Sequence, residues 1–70
     1  MTKEELDKLY YNENPLAWLG IAERNGYVEF AVCRILTDAP EYTDDAIDVY
    51  RQHFGELKTN ELLTDLGVID

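Results

Sequence analysis

Seventy residues carrying fifteen carboxylates against six Lys and Arg make one small domain of formal net charge −9, too short for a second core. The single cysteine, Cys33, excludes an internal disulfide, and the single histidine, His53, excludes a Cys/His metal framework. So negative a field disfavours direct contact with nucleic acid or an anionic membrane and favours a basic partner.

A chain of this length buries only about 60% of its unfolded surface, so self-association or a bound partner is a natural further support. The start, Met1-Thr2-Lys3-Glu4-Glu5, has no apolar h-region and does not read as a signal peptide. The longest apolar run, Pro15 to Ala22, falls short of the roughly 20 residues a membrane span needs. A lone cysteine fits a reducing compartment. A soluble, cytoplasmic protein is expected.

In chain order, Thr2 and Glu5 have the spacing of a capping box, and Leu6, Leu9 and Tyr10 follow at helical intervals. The spacing predicts a helix over residues 2–11. Asn12-Glu13-Asn14-Pro15 breaks it. Residues 15–36 then admit two readings. Asn14-Pro15 caps a helix ending at Gly26, or Asn25-Gly26 is the two-residue turn of a β-hairpin. In the hairpin, one face carries Leu19, Ile21, Val28, Phe30 and Val32, all apolar. The other face is mixed and includes Trp18, Tyr27, Cys33 and Ile35. The second arm is rich in β-branched and aromatic residues, and a helix over Leu16–Arg24 is apolar on every side. The hairpin is therefore the expectation.

Residues 37–42 predict a loop. Thr43 is the expected N-cap of an amphipathic helix with Asp44 and Asp45 in its first turn. Its inner stripe is Ile47, Tyr50 and Phe54, its outer one Asp44, Asp48, Arg51 and Gln52, and Gly55 stops it. Thr59 is expected to open a last short helix bearing Leu62, Leu63 and Leu66, stopped by Gly67. Val68-Ile69-Asp70 is a tail expected to fold back. The predicted fold is α+β, a single domain over 1–70 in the order α-β-β-α-α, with a two-stranded antiparallel hairpin against three helices. Such a hairpin needs cover on its faces. Trp18 and Tyr27, on its second face, are either core or the surface that joins another chain.

No catalytic set emerges. A nucleophile needs a base and an orienting third group, and Cys33 with His53 is the only pair available. Cys33 sits in an apolar stretch where thiols are inert. There is no glycine-rich phosphate loop. Asp38, Glu41, Asp44, Asp45 and Asp48 lack the spacing and central glycine of a calcium loop. No cofactor or metal is expected, and no enzymatic activity. Residues 43–66 resemble a helix-turn-helix with Gly55 in the turn, but six acids against Arg51 and Lys58 argue against DNA reading.

The charge is unevenly placed. Residues 1–36 hold six acids against four bases, and residues 37–70 hold nine against two. From Asp38 to Asp48 there are five acids and no base. Asp44 and Asp48 share a helix face, about 5–6 Å apart at Cβ, and Glu41 and Asp38 extend the row. Such a row resembles the phosphates of one nucleic-acid strand. The stretch Leu36–Tyr42 is similar to a short segment of the uracil-DNA glycosylase inhibitor family, acidic DNA mimics of phage origin; it spans seven residues, and no residue role is carried over on it. In size and charge the chain looks like the anti-restriction and anti-CRISPR proteins of phages and mobile elements. The expectation is an inhibitor that occupies the basic cleft of a nucleic-acid-binding protein through Asp38, Glu41, Tyr42, Asp44, Asp45 and Asp48. The alternative is an assembly module, a homodimer or complex subunit, using the apolar hairpin face.

Overall fold

The computed structural model describes residues 1–67. Every regular element in them is helical: α1 (Lys3–Leu9), α2 (Pro15–Arg24), α3 (Val28–Asp38), a 3₁₀ turn (Pro40–Tyr42) and α4 (Thr43–Asp65). The α+β expectation is overturned, because the described residues contain no strand. The tail expected to fold back lies outside them.

α1 starts as the sequence predicts. Thr2 Oγ1 accepts the Glu5 N–H at 3.2 Å, and Glu5 Oε1 accepts the Thr2 N–H at 2.9 Å. These bonds satisfy orphan donors of the first turn. Leu6 is fully buried, with Leu9 and Tyr10 half-buried beside it.

The hairpin is replaced by α2 and α3. Asn14 Oδ1 accepts the Leu16 N–H at 2.9 Å, and Pro15 fills the first position, where its missing N–H is harmless. At the other end, Gly26 N–H bonds to Glu23 O and Tyr27 N–H to Ala22 O, with Gly26 at φ +82°. This is a Schellman motif. Asn25-Gly26 is thus a helix stop rather than a β-turn, and both uses exploit the left-handed backbone that glycine adopts without strain.

Two physical facts decide between the readings. α2 packs against α1, α3 and α4, and a helix enclosed on several sides tolerates apolar residues around most of its girth. Trp18, Leu19 and Ala22 are buried, and Ile21 is packed against the core. In α3 the buried residues are Val28, Ala31, Val32 and Ile35, the i, i+3, i+4, i+7 stripe of an amphipathic helix. Val28 and Val32 belong to the helical stripe and to the expected strand face alike, so alternation alone does not separate them. A helix also closes its own backbone bonds, whereas a lone hairpin leaves two open edges.

The 3₁₀ turn winds straight into α4. Tyr42 occupies the N-cap without a side-chain bond. Thr43, expected as the cap, is the helix's first residue, and its hydroxyl donates to Pro40 O at 2.7 Å. Gly55 interrupts α4 at φ 84° and ψ 169°, so the predicted stop is real and divides α4 into arms 43–54 and 56–65. Thr59 does not open the second arm. It lies fully buried one turn inside, donating to Gly55 O at 2.8 Å. The inner stripe is Ala46, Ile47 and Tyr50, while Phe54 remains 37% exposed and packs on the Tyr50 ring.

Trp18 sits at the centre. Its ring is fully buried, its indole N–H donates to Leu6 O at 2.6 Å, and Tyr10 meets it edge-on at 4.9 Å. Among the described residues no helix is long and apolar enough to cross a membrane.

Candidate functional site

The acidic row lies along the end of α3, the 3₁₀ turn and the first arm of α4. Asp38, Glu41, Asp44, Asp45 and Asp48 are all exposed, but they are not equivalent. Asp38 accepts from Arg34 Nε at 3.0 Å, and Asp48 from Arg51 Nη1 at 3.3 Å. Among the described residues no ion pair engages Glu41, Asp44 or Asp45. The expected five-member row therefore reduces to three unpaired carboxylates where α4 begins. Asp44 and Asp45 lie in its first turn, where the helix dipole stabilises negative charge.

Arg34 organises the opposite margin. Its guanidinium bonds Asp7 as well as Asp38, donates to Tyr11 Oη at 3.0 Å, and lies over the Tyr10 ring at 4.3 Å. Its side chain is only 17% exposed, so this is a structural clamp joining α1 to α3. Its four-residue spacing from Asp38 becomes informative only when 28–38 is taken as a helix.

The three remaining candidates divide differently. Tyr42 is half-buried at the start of α4, and its hydroxyl accepts from Asn14 Nδ2 at 3.4 Å. Trp18 is internal and offers no surface. Tyr27 is half-buried just before α3, with its hydroxyl donating to Met1 O at 3.1 Å. The apolar hairpin face expected to join a second chain does not exist, since its residues are shared between two helices.

Among the described residues no hydrogen bond joins Cys33 to His53. His53 Nε2 is hydrogen-bonded to Glu23 Oε2 at 2.7 Å, tying α4 to α2. Burial pushes the Cys33 thiol up, with the Glu29 charge adding to it, the direction opposite to that of an activated thiolate. Among the described residues no three His, Cys, Asp or Glu side chains converge as metal ligands.

A feature missed from the sequence is an open groove of about 610 Å³ lined by Lys3, Gly26, Tyr27, Glu29, Phe30, Cys33 and Phe54. It arises because α3 is a helix. Glu29 and Cys33 are then one turn apart with Phe30 beside them, whereas the strand reading placed Phe30 on the opposite face. Lys3 Nζ lies 4.8 Å from the Phe30 ring centre, and Lys58 Nζ 5.7 Å from that of Phe54.

No protein-family model matches the chain, and no curated protein or solved structure matches it either.

Proposed function

We propose that this chain is a non-enzymatic binding protein whose acidic C-terminal face engages a basic, nucleic-acid-binding protein, in the manner of the small inhibitors of phages and mobile elements. One observation carries the reading. Residues 40–65 hold seven acids, all exposed, and only two bases. Both bases are occupied locally, Arg51 by Asp48 and Lys58 over the Phe54 ring. The field over this face is thus weakly compensated, and Glu41, Asp44 and Asp45 are free to pair with a partner's Arg and Lys. Such a face accelerates encounter with a cationic cleft and makes it salt-sensitive.

The test measures capture of basic DNA-binding proteins by the immobilised full chain, with duplex DNA and salt as competitors. Both should displace the partner. The triple variant Glu41→Gln/Asp44→Asn/Asp45→Asn should bind roughly tenfold more weakly, given about 0.5 kcal/mol for each exposed charge. Capture of neutral or acidic proteins only, indifferent to salt and to these substitutions, overturns the reading.

A further inference from the structure

We propose that the groove between the start of α1, α3 and the Gly55 break of α4 seats an arginine side chain of the basic partner, with Phe30 and Phe54 flanking its guanidinium and Glu29 as its counter-ion. This rests on the reading above in one respect, the cationic character of the partner, but uses a different surface from Glu41, Asp44 and Asp45.

Three observations support the assignment. The groove has the size of a side-chain or small-ligand pocket, and three of its seven lining residues, Tyr27, Phe30 and Phe54, are aromatic. Glu29 is exposed on α3, and among the described residues no cation pairs with it. Its charge is felt by Cys33, which lines the same groove: after burial, it is the next cause of the raised thiol. Finally, the two phenylalanine rings already attract ammonium groups from within the chain, Lys3 on one and Lys58 on the other.

Both lysines are exposed residues on long, flexible stems, so a better cation can displace them. Arginine suits the site best. Its planar, weakly hydrated guanidinium stacks on aromatic faces while its fork reaches a carboxylate, which an ammonium does less well. A second copy of this chain is a poor occupant, because two molecules of charge −9 repel.

The experiment titrates the ¹⁵N-labelled full chain with an arginine-rich octapeptide at low salt and follows backbone amide shifts. Shifts should concentrate at Gly26, Tyr27, Glu29, Phe30, Cys33 and Phe54. Glu29→Gln and Phe54→Leu should each weaken binding about two- to fivefold. Phe54→Leu keeps the apolar volume and removes the ring, and an unchanged far-ultraviolet spectrum certifies the fold of each variant. Shifts confined to Glu41–Asp48, with both variants binding as tightly as the parent, overturn the groove and leave the acidic-face reading standing. Groove shifts that persist in Glu41→Gln/Asp44→Asn/Asp45→Asn at undiminished affinity, with no shift at Glu41–Asp48 in the parent, uphold the groove and overturn that reading. Absence of binding at low salt overturns both.

Discussion

Gly55 and Gly20 separate two reasons for a glycine in a helix. At Gly55 the backbone has φ 84° and ψ 169°, a region that residues with a Cβ avoid. A Cβ there meets nothing within 4 Å, so the objection to a side chain is wholly conformational. Gly55→Ala is expected to lower stability by about 1–3 kcal/mol. Gly20 lies inside α2, and a Cβ there also meets nothing within 4 Å. Gly20→Ala should raise stability by about 0.5–1 kcal/mol through helix propensity and a less disordered unfolded chain. Urea denaturation of the two variants beside the parent measures both. A stabilising Gly55→Ala means that α4 prefers to run straight.

At the level of the element, the capping box of α1 was fully legible because all its partners lie within four residues. It carries a pH dependence of known sign. Hydrogen bonds from the Thr2 backbone and hydroxyl hold the Glu5 carboxyl below its ordinary 4.5. A group depressed by folding contributes stability that is whole above its unfolded value and is lost as the pH falls through the folded one. As the pH falls below 4.5 the parent should therefore lose stability relative to Glu5→Gln, which keeps a side-chain oxygen acceptor without the charge, as read from the difference between their melting temperatures. A difference that does not change with pH means that the cap is not linked to protonation. α2 and α3 were less legible for a complementary reason. Asn14-Pro15 and Asn25-Gly26 are local signals that serve a helix and a hairpin equally. Val28 and Val32 satisfy both periods. Only the presence of other helices on several sides of α2 makes its apolar girth an advantage.

For the molecule as a whole, charge is the dominant quantity. Three Arg–carboxylate ion pairs join the described residues, and Arg34 supplies two of them, against fifteen carboxylates in the chain. Self-repulsion should therefore exceed the attraction that salt weakens. Raising monovalent salt from about 0.01 M to about 0.5 M, which shortens the screening length from about 30 Å to a few ångström, should raise the melting temperature. A fall means that the clamp of Arg34 on Asp7 and Asp38 outweighs the net repulsion. The sequence by itself determined the charge and its bias toward the C-terminal half, the first helix, the amphipathic helix after Thr43 and the break at Gly55. These follow from composition or from residues a turn apart. The tertiary structure decided the rest. It made residues 15–38 two helices, drew Trp18 inside, gave Asp7 to Arg34, and opened the groove beside Glu29. Each of these depends on what stands opposite a side chain in space, and residues 27 or more positions apart in the chain, such as Asp7 and Arg34, meet only after the chain has folded.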